Sequence, residues 1–114
     1  MDYNSDFKYD LKVGQVKEKE LGDIFSGSLV EVKHDLKALM TRNVFVEYES
    51  RGKPSGISSS KADWYCYAFG DTFHLIKLED LKARCRPYIG SYKDVLGGDN
   101  NTSKGILLPI EDLM

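Results

Sequence analysis

The sequence predicts a small α/β domain, with helices packed around one small mixed sheet in the order helix, strand, strand, helix, strand, helix, strand. Three observations lead there. Apolar residues switch between helical spacing and strict alternation along the chain, breaks rich in Gly, Pro and Ser divide these segments, and short β-rich runs are interleaved with helical ones. At 114 residues the chain has room for one domain, 1–114, whose core can fold unaided.

Val13, Val16, Leu21, Ile24 and Phe25 fall at helical spacing, so Leu11 to Phe25 is expected to be the first helix, with Asp10 as its N-cap and Gly22 weakening its last turn. Ser26-Gly27-Ser28 breaks it. Leu29 to His34 reads as a strand, "ALMTRN" as a turn region, and "VFVEYES" as a second strand that alternates Val44, Val46 and Tyr48 against Phe45, Glu47 and Glu49. These two strands are expected to pair. "RGKPSGISSS" must be a loop. Ser60-Lys61-Ala62-Asp63 looks like a capping box with Asp in place of Glu, which predicts a helix over "KADWYCYAF". Trp64, Tyr65, Tyr67 and Phe69 are then expected to face the core. "TFHLIKL" is the third strand, and "EDLKARCR" a helix stopped by Pro87. After the polar loop "GGDNNTSKG", "ILLPI" is expected to be an edge strand, because Pro109 cannot donate to a ladder.

Net charge is −2, so the chain is neither a polybasic nucleic-acid coat nor an acidic disordered tail. Any contact with nucleic acid must use a local basic patch. No apolar run approaches the length of a membrane span and "MDYNSDFKYD" has no signal-peptide core, so a cytoplasmic protein without a membrane partner is expected. Cys66 and Cys85 form no C-x-x-C pair and are expected to be buried free thiols.

The informative stretch is "SLVEVKHD". Successive strand residues point to opposite faces, so Glu31, Lys33 and Asp35 share one face and Val30, Val32 and His34 the other. Acid-x-lysine also occurs at Asp10–Lys12, Asp35–Lys37 and Asp80–Lys82, where helix starts or turns account for it. Glu31-Val32-Lys33 differs because its neighbours place it on a strand expected to be central, where charge is costly unless it is paired or binds a metal. Phosphodiester hydrolysis supplies a motive, since a hard cation offsets charge on phosphate oxygens and acidifies the attacking water. Mg²⁺ takes oxygen ligands, usually one or two carboxylates with water and phosphate. Glu31 and the Val32 carbonyl could ligate it, while Lys33 stabilises the transition state.

These residues resemble a known family. "LVEVKHD", preceded by Gly14-Gln15-Val16-Lys17-Glu18 and followed by "NVFVEYESRGKPSGISSSKADWYCY", is similar to the PD-(D/E)XK nuclease superfamily, and within it to small bacteriophage resolvase-like endonucleases. The resemblance covers residues 9 to 83 and extends to "GGDNNTSKGILLP". It implies a restriction-endonuclease-like core and a DNA endonuclease dependent on Mg²⁺, with Mn²⁺ as substitute. It also implies action on branched or structured DNA, a homodimer, and residence in the host cytoplasm if phage-encoded. Glu31 and Lys33 match the E-x-K pair, and Glu18 matches a glutamate of the first helix. The family's other metal-binding carboxylate lies on a strand just before E-x-K, where this chain offers Asp23. If residues 22–25 form a short strand, Asp23 falls beside Glu31; if 11–25 is one helix, it sits on a helical turn. Glu47 and Asp35 are reserve acids. A catalytically inactive nuclease-fold module that binds DNA or a protein partner is the alternative.

For the substrate, "ESRGKPSGISSSK" offers Arg51, Lys53, Ser58, Ser60 and Lys61 leading into an expected helix N-terminus, a combination that suits DNA phosphates. Lys104 and Ser103 offer a weaker second contact. His74 is expected to be structural, and His34 lies on the strand face away from the proposed centre.

Overall fold

The computed structural model describes residues 10–13 and 27–113. In chain order the regular elements are β1 (Asp10–Val13), β2 (Val30–His34), α1 (Ala38–Thr41), β3 (Asn43–Ser50), β4 (Lys53–Pro54) and β5 (Trp64–Phe69). They continue with β6 (Thr72–Lys77), α2 (Leu78–Cys85), β7 (Asp94–Gly97) and β8 (Ser103–Pro109). The described residues are mixed α/β, with two four-stranded sheets in place of the expected single one: β1-β6-β5-β2 and β4-β3-β8-β7.

Six consecutive apolar residues, Trp64 to Phe69, decide this architecture. Expected to be helical, they form strand β5, and all six are buried. Aromatic residues suit a pleated surface, and an unbroken apolar run suits a strand covered on both faces. β5 accordingly lies inside the first sheet, parallel to β2 and antiparallel to β6. The two-residue turn Gly70-Asp71 joins β5 to β6, with Gly70 at φ +59°, a conformation that suits glycine in a tight hairpin. The Ser60 hydroxyl, expected to cap a helix, instead accepts the Ala62 N–H at 3.0 Å. Asp63 ties β5 to the start of β2: its carboxylate accepts the Leu29 N–H at 2.8 Å, while the Asp63 and Trp64 N–H groups donate to the Leu29 carbonyl.

The expected pairing of the Leu29–His34 strand with the following "VFVEYES" strand is absent. β2 pairs with β5, whereas β3 lies in the second sheet between β4 and β8. Alternation explains β3, which buries Val44 and Val46 against Ile106 and Leu108 of β8. A strand parallel to β2 requires a crossover, and residues 35–63 supply it by visiting the second sheet. β8 is interior, not an edge, and Pro109 is tolerated because it is the last residue of the strand. The expected helix from Leu11 begins as strand β1, since Leu11 and Val13 fit a period of two as well as a helical one. Residues 14–26 lie outside the described part. The helix over "EDLKARCR" is present as α2; the Arg86 N–H donates to the Lys82 carbonyl before a 3₁₀ turn, Arg86–Tyr88, carries Pro87.

One core joins the sheets. It contains Tyr65, Tyr67, Phe69 and Ile76 from the first, Val44, Val46, Ile106 and Leu108 from the second, and Leu78, Leu81 and Cys85 from α2. Trp64, Cys66 and Leu75 form a second cluster with Val30 and Phe73. The two clusters take alternate residues of β5, as period-two geometry demands. Both thiols are free and buried, and burial pushes Cys66 up to about 11 and Cys85 to about 12. Among the described residues no helix is long and apolar enough to cross a membrane.

Candidate functional site

The parallel register sets Glu31 beside Tyr65 and Lys33 beside Tyr67. Neighbouring residues across a parallel ladder project to the same face. Glu31 and Lys33 therefore project on the face that carries the main core, while Val30 and Val32 share the face of Trp64 and Cys66. The Lys33 ammonium stands 4.0 Å from the Glu31 carboxylate, with side chains 47 % and 46 % exposed. That corrects one expectation. β2 is not central: among the described residues it is the outermost strand of its sheet, and Glu31 through His34 are exposed. The charges stay hydrated at the rim of the inter-sheet space, so their presence on the strand costs little, and the ion pair by itself contributes little to stability.

Tyr65 of β5 is buried and stands opposite Glu31 in the ladder. Its hydroxyl is pushed up chiefly by burial, offset by a hydrogen bond from Ser60 and raised further by the negative charges of Glu31 and Glu47. Glu31 and Glu47, on strands of different sheets, thus bear on a single phenol. Tyr65 was read from sequence as core alone. Nothing in an apolar run signals that one tyrosine meets two carboxylates.

Asp35 is employed differently. One carboxylate oxygen accepts the Lys37 N–H and the other the Phe45 N–H, each at 3.1 Å. With its own N–H donated to the Ala68 carbonyl, Asp35 links both sheets and the entry to α1. Glu18 and Asp23 lie outside the described residues. Among the described residues, no three of His, Cys, Asp and Glu gather closely enough to form a metal-binding group.

Glu31 and the Val32 carbonyl are oxygen donors of the kind a hard divalent cation takes, and Mg²⁺ keeps several waters and needs only one or two carboxylates from the protein. They are the described groups that would hold it; Glu47 alternates with Val44 and Val46 and so lies on the face of β3 away from the core between the sheets. Lys33 adds a positive charge beside Glu31.

The expected substrate loop spreads over two features. Arg51 and Gly52, at φ +53° and +79°, form the turn between β3 and β4, and Lys53 lies on the short edge strand β4; all three are exposed. Ser58, in the 3₁₀ turn Gly56–Ser58, and Lys61 are also exposed. No helix starts after Ser60, so the expected helix dipole is missing and any phosphate would meet side chains and loop amides instead. Ser103 is buried with its hydroxyl 3.4 Å from that of Ser50, and Lys104 lies 3.6 Å from Glu49, so this pair is engaged within the second sheet. His74 is buried, stacked on Phe69 with ring centroids 4.6 Å apart and 3.2 Å from the Thr72 hydroxyl. No protein-family model, curated protein or solved structure matches this chain.

Proposed function

We propose that the chain is a Mg²⁺-dependent DNA endonuclease of the PD-(D/E)XK kind that hydrolyses phosphodiesters in branched or structured DNA. The single observation that carries this reading is the shared position of Glu31 and Lys33 on the core-bearing face of β2, with the Lys33 ammonium 4.0 Å from the Glu31 carboxylate. Glu31, Asp23 and the Val32 carbonyl hold the cation, with Glu18 as a further acid and Glu47 in reserve. The bound cation offsets phosphate charge and acidifies water. Lys33 stabilises charge that develops on the phosphate oxygens, and the ion pair with Glu31 keeps it close. Arg51, Lys53 and Lys61 hold the DNA backbone from exposed positions. Because the chain has no basic surplus, a homodimer that doubles these loops completes the DNA surface.

The test is cleavage of supercoiled plasmid and a synthetic four-way junction, with and without Mg²⁺ or Mn²⁺, by the parent protein and by Glu31→Ala. Cutting that requires both the metal and Glu31 supports the reading. Equal cutting by both proteins removes the centre from consideration. The second reading, a module that binds DNA without cutting, is favoured by the half-exposed ion pair and the lack of a three-ligand group among the described residues. It predicts junction binding with no metal-dependent product.

A further inference from the structure

A cleft of about 340 Å³ opens between α2, the 3₁₀ turn Gly56–Ser58 and β3. Its volume is within the range of about 300–1,000 Å³ usual for small-molecule sites. The floor is apolar: Ile57, Cys85 and Ile106 are at most 6 % exposed. Burial holds the Cys85 thiol up at about 12, so the floor stays uncharged at neutral pH. One wall is Tyr48, whose hydroxyl is donated to Asp94 at 2.6 Å, which leaves the ring as its contribution. Lys82 and Arg86 stand one helical turn apart at the rim, fixed by the Arg86 N–H to Lys82 carbonyl bond. None of the described lining residues is acidic, although acidic residues outnumber basic ones in the chain. Basic residues at the end of a helix offset its dipole. That accounts for the two cations, but not for an aromatic wall and an apolar floor beside them in one cavity with no acidic lining residue.

We infer that this cleft is a nucleotide subsite: the base lies against Tyr48 and the apolar floor, and the phosphate sits between Lys82 and Arg86. A guanidinium matches phosphate with paired donors and an ammonium adds a point charge, while a base stacks on an aromatic face without sequence preference. The nucleotide comes either free or as an unpaired unit of a strand. The inference goes beyond the hydrolase reading and requires neither Glu31 nor a metal.

Titration calorimetry in excess chelator tests it, with thymidine monophosphate, inorganic phosphate and a ten-residue oligodeoxythymidine as probes. Mononucleotide binding identifies the free source, and oligonucleotide binding alone identifies the strand. Lys82→Gln and Arg86→Gln should each weaken the bound probe about tenfold, the scale of one charged hydrogen bond. Together they should lower the salt slope for the oligonucleotide by about 1.4, as expected for two single-strand phosphate contacts. Circular dichroism melts establish that both variants fold, and Glu31→Ala should bind as the parent does, so failure of the hydrolase reading leaves this result untouched. Binding of neither nucleotide probe, unchanged affinity in the folded double variant, or phosphate binding as tightly as the nucleotides overturns the inference.

Discussion

Asp35→Ala separates a structural carboxylate from a catalytic one. The substitution removes the acceptor of two backbone N–H groups, that of Lys37 at the surface and that of Phe45 in a partly buried position. The exposed Lys37 N–H finds water and loses about 0.5–1 kcal/mol, while the Phe45 N–H is stranded between the sheets at about 1–3 kcal/mol. The sum is about 1.5–4 kcal/mol. For 114 residues the unfolding entropy is about 0.24 kcal/mol per kelvin, so the melting temperature should fall by about 6–17 °C. Asp35→Asn retains one acceptor but turns an amide NH₂ towards the other N–H, so it should fall between the two. Urea unfolding followed by circular dichroism reads the free energy and calorimetry the midpoint. A loss below about 0.5 kcal/mol, the range of a neutral surface change, would refute the claim that Asp35 joins the sheets.

Gly56→Ala should cost about 2–4 kcal/mol in urea unfolding, because its Cβ would lie 2.1 Å from the Glu47 carbonyl oxygen at a φ of +50°, whereas Gly52→Ala, at φ +79° with open space, should cost only about 1 kcal/mol. Equal losses would contradict the close approach. Thiol labelling at pH 8 should be slowed about a hundredfold or more in the folded protein relative to the denatured one, since Cys66 and Cys85 are pushed to about 11 and 12. Fast labelling of either folded thiol would count against its burial. Tyr48 is raised to about 12, chiefly by its hydrogen bond to Asp94. Its folded value exceeds its unfolded value near 10, so its contribution is fully present below about pH 10 and is lost as the pH climbs towards about 12. Tyr48→Phe should therefore be less stable than the parent at pH 8, with the gap closing by pH 12.

Elements whose apolar period was unambiguous were legible from sequence. β2, β3, β6 and α2 lie where alternation or helical spacing puts them. The stretch Trp64–Phe69 was not, because capping chemistry at Ser60 pointed to a helix while the aromatic content and the Gly70-Asp71 turn pointed to a hairpin, and burial on both faces decided for the strand. Pairing was the second failure. Two consecutive strands were expected to be neighbours, yet β2 and β3 belong to different sheets, and short-range patterning carries no information about which sheet a strand joins. For the site, period two placed Glu31 and Lys33 on a shared face correctly, but could not tell that β2 is outermost among the described strands. The effect of the Glu47 charge on Tyr65 depends on the meeting of two sheets. No local pattern encodes it.

The central proposal is that Lys33, beside Glu31, lowers the barrier to phosphodiester hydrolysis. Its most direct measurement is the single-turnover cleavage rate of a four-way junction at saturating Mg²⁺ for the parent and for Lys33→Met. The account predicts a fall of about 10²–10³-fold, the scale of removing one electrostatic contact to the transition state, with junction affinity in chelator nearly unchanged. Cleavage by Lys33→Met at the parental rate would contradict it.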